Sequence, residues 1–462
     1  MERLSGMDAM FLYLETPSQP LNICGLLLLD TSTMPGGYSF ERFKAALAVQ
    51  VEAVPQFRMK LRDSQLNLGH PVWAYDTDFH VERHLHRTAL PSPGGDVELA
   101  EACGRIAAQP LNRDLPLWEM WVIESLAAEG AVAVMLKCHH SAADGIGAAG
   151  IIAQLCGTEP DSVVPQPIEV PAPPNRLQIA AGGALSIAER PRRFASALTG
   201  TLLTAMRTAR RIPTGKTMAP PFAAPNTVFN APFTTRRSVA FCDIALDEVK
   251  AIKNAYGLTV NDVITALCAE ALRRYLLARS ELPESSLIAA VPVAVHERSD
   301  RPGRNQASWL FYRLGTDIED PVARLAFIAD GSAKAKDHNA EMAPTLVQDW
   351  TASLNPTVIR SVLRVLPAVP KPPRPAFNLL LSNVPGPALQ LYLLGSRITS
   401  LIPFGPILAG TALNITAMSL NGRVGIGFTS CPDAVPDISD IARHLEDGFA
   451  DLRDAAAATS TK

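Results

Sequence analysis

The sequence predicts two α/β domains joined by a proline-rich, basic connector, and three observations lead there. The chain has 462 residues, more than one ordinary core of about 100 to 200 residues uses. Up to about Val164, strand-like runs (NICGLLLL, AVAVML) alternate with a helix-like one (SFERFKAALAVQVEAV), and the same mixture returns after about residue 236. Between them lies PQPIEVPAPPN, residues 165–175, too rich in proline for a helix or a central strand. The expected division is therefore 1–164, a connector at 165–235, and 236–462.

Composition narrows the class. Hydrophobic residues make up 47% and charged residues 19% of the chain, which describes a globular protein with much buried surface. The mean hydropathy of +0.11 leans towards apolar partners. A formal net charge of −3 excludes a globally basic nucleic-acid binder. The charge is uneven, however: residues 176–237 hold ten Lys or Arg and one acid, Glu189, so this segment carries +9 and the rest −12. No apolar run approaches the roughly 18 to 20 residues of a spanning helix, and MERLSGMDAMFLYLE has acids where a signal peptide has its apolar region. A cytoplasmic location is expected, peripheral to a membrane or lipid droplet if the basic segment meets lipid. The cysteines at 24, 103, 138, 156, 242, 268 and 431 are odd in number and scattered, the pattern of reduced core thiols.

In the connector, FASALTGTLLTAMRTARRI puts Phe194, Leu198, Leu202, Ala205, Ala209 and Ile212 at steps of three and four, with Arg207, Arg210 and Arg211 at the C-terminal end. Two readings suit this helix: one lying on a lipid surface, or a linker packed across both domains. RRSVAFCDIAL then opens the second domain, followed by a helix over Val260–Leu277 and a strand over LIAAVPVAV. The last helix should begin near Pro436, capped by Asp437 or Ser439, with Ile438, Ile441, Leu445, Phe449 and Leu452 on one face. The tail AAAATSTK is expected to fray.

The chemistry concentrates in KCHHSAADG, which ends the AVAVML strand, with Gly145 opening the small-residue helix GIGAAGIIAQL. Asp144 could be a helix cap and one histidine a buried core residue. Two adjacent histidines diverge, however, so that one can face the core and the other a cavity. An imidazole, with an unperturbed pKa of about 6.5, is suited to take a proton from an alcohol or thiol near neutral pH. A serine hydrolase would need a G-x-S-x-G turn, which the chain lacks. His80, His84 and His86 in DFHVERHLH are the nearest approach to a metal set, and no metal site is expected.

HHxxxDG, at His139 to Gly145, resembles the active-site motif of the CoA-dependent acyltransferase superfamily. The opening MERLSGMDAMFLYLETPSQPLNICGLLLLD, PLNRDLPLWEM, the Asn261–Asp262 pair in VNDVITALCAE, GRNQASWLFYRL, NLLLSNVPGP and GTALNITAMSLNGRVGIGF narrow the match. Together they resemble the bacterial wax ester synthase/diacylglycerol acyltransferase family nearly end to end. Leu21 and Asn22 depart from a Met-His-like pair, His80 from an Asp, and Leu420 from a Tyr; none touches the histidine motif.

The resemblance implies a two-domain chloramphenicol acetyltransferase-like fold with a tunnel between the domains. It implies His140 as general base, His139 turned away, Asp144 as a loop-orienting residue, and Gly145 where a side chain would not fit. Asn261 is the candidate oxyanion donor, with a helix N-cap as its competing role, and Ser382 and Asn383 are the fallback. Leu117 and Trp118 are expected to line the tunnel or interface, against ordinary core packing. Long-chain acyl-CoA would serve as cosubstrate, with no resident cofactor, and diacylglycerol or a fatty alcohol as acceptor. Another lipid or polyketide hydroxyl, or a lipid-binding role without turnover, are the alternatives.

Overall fold

The two runs that read as buried strands pair with each other. Asn22–Asp30 and Ala131–His139 run antiparallel, with Asn22 opposite His139 and Asp30 opposite Ala131. In the computed structural model, which describes residues 2–64, 68–143, 145–162, 166–294, 304–305, 307–342, 346–365 and 372–460, they form the centre of a seven-stranded sheet. Trp118–Glu124 and Leu85–Ala89 extend it on one side. Helices Phe40–Glu52 and Asp96–Ala108 bury residues such as Phe43, Leu47, Leu99 and Ile106 in its two cores.

The second sheet has six strands in the order Ala307–Arg313, Ile288–Ala294, Leu379–Val384, Leu413–Leu420, Arg423–Ser430 and Ser238–Ala245. Helix Val260–Ala278 is apolar over most of its circumference, and it is buried accordingly against Ile438–Ser460 and the sheet. In the last helix Ile438, Ile441, Leu445, Phe449 and Leu452 are all buried, as their spacing predicts. Its end differs from expectation: the helix continues through the alanine-rich tail to Ser460, where alanine's high helix propensity sustains it.

One strand crosses the expected division. Ser396–Phe404, from the second half, pairs antiparallel with Asn22–Asp30 of the first sheet, from Arg397 opposite Asp30 to Phe404 opposite Cys24. Tyr392–Leu393 and Cys156–Gly157 complete that edge. The crossing strand also lies against Arg423–Ser430 of the second sheet, where glycines admit it. A Cβ on Gly425 would run into the Leu401 carbonyl, and one on Gly427 into the Pro403 carbonyl. The alternating Gly-x-Gly of RVGIGF is therefore a contact surface between the sheets.

The connector forms one helix, Arg176–Arg211, 36 residues long, capped by Asn175. It is longer than the segment its periodicity marks, and it packs through its small-residue side. The buried side is Ala197 and Thr204, with Thr201 accepting from Trp350 Nε1 at 2.8 Å and Thr208 bonded to His338 Nε2 at 2.9 Å. The predicted apolar stripe points outwards: Leu198 is 44%, Leu202 58% and Ile212 65% exposed, with Met206 beside them at 55%. Periodicity reveals that a helix has an apolar side, and small residues with hydroxyls pack closely enough to take the inner one. The helix still bridges both halves. Arg3 and Arg190 bond to carbonyls of Ile179 and Leu68 near its start, whereas Arg207 and Arg211 bond to Glu341 near its end.

Placing a side chain at the glycine seat should loosen the sheet junction. Gly427→Val is expected to destabilise the protein by about 1 to 3 kcal/mol, the usual cost of overpacking, read as a lower urea midpoint. Substitution of Gly422, whose Cβ would meet nothing within 4 Å, should leave the strand contact intact, although its positive φ carries its own cost.

Candidate active site

His140 is the first residue beyond the Ala131–His139 strand, and the turn is held by main-chain bonds. His140 N–H donates to the Leu21 carbonyl at 2.8 Å, and Ala142 N–H to the His139 carbonyl at 2.9 Å. Leu21 and Asn22, where the sequence departs from the family pattern, thus adjoin the motif, and Asn22 Nδ2 donates to Gln109 O.

The two histidines face different surroundings. His139 is 1% exposed, with Nδ1 2.8 Å from Ser141 Oγ and Nε2 3.4 Å from Glu15 Oε1. Burial opposes ionisation of Glu15, but His139 and Arg113 outweigh it and hold the carboxyl at about 2. This cluster fixes the turn from the side opposite the cavity. His140 instead lines a cavity of about 500 Å³, and Phe11 stacks flat on its ring, with centroids 4.1 Å apart and planes 4° from parallel. Its Nδ1 lies 3.0 Å from Oδ1 of Asn305.

The cavity lies between the halves. Its walls come from Met7, Phe11, Ile23 and Leu136 on one side and from Val291, Trp309, Leu380 and Met418 on the other, with Leu401, Pro403 and Phe404 of the crossing strand between. Polar groups are few: besides His140 they include Asn261, Asn305, Ser382, Asn383, Asn414 and Thr416. Cys24 and Cys138 also line it, but burial raises both thiols to about 12, so neither supplies a thiolate near neutral pH.

The expected residues distribute as follows. His140, Asn261, Ser382 and Asn383 meet in the cavity. Asn261 is not the helix cap: Thr259 caps Val260–Ala278, its Oγ1 accepting from Asp262 N while Asp262 reaches back to Thr259 N, a reciprocal capping box. Asp262 also accepts from Ser332 Oγ at 2.6 Å, a bond between helices. Helix Gly145–Leu155 begins at Gly145, and Asp144 lies outside the described residues.

Leu117 and Trp118 do not line the cavity. Leu117 packs with Leu4, Leu12 and Trp73, and Trp118 stacks on His84 while donating to the Phe57 carbonyl. A strand whose alternate residues both meet packed layers buries them on either side, and nothing in PLW marks which layer is the cavity. His80 is exposed, and His84 is buried with Nδ1 on the Trp118 carbonyl. Among the described residues no group of His, Cys, Asp and Glu could hold a metal ion.

One cavity residue, Asn305, and one buried charge on the far face of the motif strand, Lys137, escape the sequence reading. Asn305 lies inside GRNQASW, where an isolated asparagine carries no periodic signal. Lys137, fully buried in the motif strand, pairs with Glu119 at 2.8 Å and with the carbonyls of Ile106 and Gln109. Its position in an otherwise apolar run was the available clue, since a buried lysine needs partners.

Two α/β halves sharing a strand, with a histidine turned into the cavity between them, define the chloramphenicol acetyltransferase-like class of two-domain fold. A trichothecene 15-O-acetyltransferase from Fusarium sporotrichioides shares that fold, with a TM-score of 0.60 and 14% identity over 98% of this chain and 95% of its own. The wax ester synthase/diacylglycerol acyltransferase of Marinobacter aquaeolei VT8 is nearer, with a TM-score of 0.72 and 28% identity over 99% and 100%. Residues 4–264 match the wax ester synthase/diacylglycerol acyltransferase catalytic domain, and residues 304–453 the C-terminal domain of the same family. A Mycobacterium tuberculosis protein named "Putative diacyglycerol O-acyltransferase" is 53% identical over 97% of this chain and 89% of its own length. A Mycobacterium bovis protein of the same designation is 32% identical over 98% and 99%. The chain belongs to the wax ester synthase/diacylglycerol acyltransferase family.

Proposed function

We propose that the protein is an O-acyltransferase that moves a long-chain acyl group from acyl-CoA to diacylglycerol, forming triacylglycerol, and that fatty alcohols serve as second acceptors. The observation that carries this reading is the placement of His140 in an apolar cavity open to walls from both halves, together with the family's named activity. His140 would accept the hydroxyl proton as the acceptor oxygen attacks the thioester carbonyl. The tetrahedral oxyanion would be met by the Asn261 amide, which donates without titrating and, on the second residue of its helix, has the positive end of the helix dipole behind it. Collapse would expel the CoA thiolate, which recovers the proton from the imidazolium. No acyl-enzyme is required, in keeping with the two protonated cysteines and the missing nucleophile turn.

An apolar cavity suits this chemistry. It accepts acyl chains, and by limiting water it protects the thioester from hydrolysis. Access to water-insoluble acceptors also calls for a lipid surface. Among the described residues no helix is long and apolar enough to cross a membrane. The outward stripe of Leu198, Leu202 and Met206, in a segment of net charge +9, supports peripheral docking on an anionic membrane or droplet.

Purified protein given palmitoyl-CoA with diacylglycerol or hexadecanol should release CoA and form labelled ester. His140→Ala should lower the rate by roughly 10² to 10⁴, and Asn261→Ala by roughly 10² to 10³. Turnover with a polyketide or glycolipid hydroxyl alone would reassign the acceptor, and acyl-chain binding with silent wild type would indicate a binding protein. Separately, flotation with anionic liposomes should recover wild type but much less of Leu202→Glu/Met206→Glu. Equal recovery of the two would remove the helix from any docking role. Neutralising Arg207 and Arg211 is a poorer probe, because both hold the helix to Glu341.

A further inference from the structure

We infer that Asn305, clamped by Asp8, is a positioning residue that sets the tautomer of His140 and leaves the basic lone pair on Nε2. The amide orientation follows from its other partners. Asn305 Nδ2 lies 2.8 Å from Asp8 Oδ1 and 2.8 Å from the His140 carbonyl oxygen. A carboxylate and a carbonyl only accept, so the amide nitrogen must face them and the amide oxygen must face the ring. That oxygen is 3.0 Å from His140 Nδ1. An amide oxygen cannot donate, so Nδ1 carries the hydrogen and Nε2 the lone pair of the neutral imidazole.

The clamp is itself fixed. Asp8 is 1% exposed, and its Oδ1 also accepts from Asn305 N at 2.8 Å. Its Oδ2 accepts from Ser5 Oγ at 2.7 Å, Ser5 N at 3.3 Å and Arg304 N at 3.2 Å. Asp8 therefore does two things at once: it closes the capping box of helix Gly6–Leu14 and it anchors the chain at Arg304–Asn305. Phe11, three residues further along the same helix, stacks on the His140 ring. The first helix thus sets the ring plane through Phe11 and the ring tautomer through Asp8 and Asn305. Asn305 belongs to the second half and His140 to the first, so the base acquires its competent tautomer only when the halves are closed on each other.

This inference rests on the proposed role of His140 for its catalytic consequence, but not for the tautomer itself. The test is selective ¹⁵N-histidine NMR of the ring nitrogens at a pH where the ring is neutral, with the His140 signals identified by their loss in His140→Ala. Wild type should show a protonated Nδ1 and an unprotonated Nε2, whereas Asn305→Leu should show the Nε2-protonated form populated. Its kcat should fall roughly 10²-fold, the scale of a misplaced reacting group, with KM for acyl-CoA unchanged. Asn305→Asp keeps an acceptor for Nδ1 but sets its second oxygen against Asp8 and the His140 carbonyl, which it cannot donate to, so it should not restore the clamp or wild-type activity. An Nε2-protonated ring in wild type overturns the inference without reference to any variant. So does an Asn305→Leu protein whose tautomer is unchanged, whatever its rate. Retained activity in His140→Ala, with the predicted wild-type tautomer, would remove the base assignment and leave the tautomer assignment standing.

Discussion

The strand Ser396–Phe404 holds the two halves in register, and the site depends on that register. It belongs by connectivity to the second half, pairs along Asn22–Asp30 of the first sheet, and lies on Gly425 and Gly427 of the second. Its Leu401, Pro403 and Phe404 are also cavity wall. The same nine residues therefore join the sheets and shape the space between them. A side chain at either glycine would separate the strand from its seat, and with it move one wall of the cavity relative to His140.

A second tie runs through polar groups. Asp8, Asn305 and His140 connect the first helix, the Arg304–Asn305 pair ahead of the second-half strand Ala307–Arg313, and the end of a first-half strand. Buried polar groups of this kind are costly unless every member is satisfied, and Asp8 accepts five hydrogen bonds. The apolar junction sets the distance between the halves, and the polar one sets the orientation of the ring. Around this frame the cavity also receives the Asn261 amide, from a helix capped by Thr259, and the Cys24 and Cys138 thiols, which burial keeps protonated.

Much of this was legible in the sequence, for identifiable reasons. The strand ending at His139, the helix from Val260 and the buried face of the last helix follow from period and caps. The HHxxxDG segment announced itself because ionisable groups at the end of a core strand are unusual. Other features were out of reach. RITSLIPF reads as an apolar strand, but nothing in it says which sheet it will join. The connector helix has an apolar side that periodicity finds, yet the side that packs is the one with Ala197, Thr201 and Thr204, because small residues allow closer approach. For Leu117 and Trp118 the motif leaves tunnel or interface lining open against core packing, and the structure places both in the core. Asn305 emerges only when residues 165 positions apart are brought together.

In the proposed reaction the acyl group passes directly from thioester to acceptor at His140, without residence on the protein. Intact-mass spectrometry after mixing the enzyme with palmitoyl-CoA alone, followed by a single-turnover chase with acceptor, tests it most directly. No acyl adduct should appear before the chase, and ester should form only once acceptor is present. A stoichiometric palmitoyl adduct that the acceptor then discharges at the rate of turnover would contradict it.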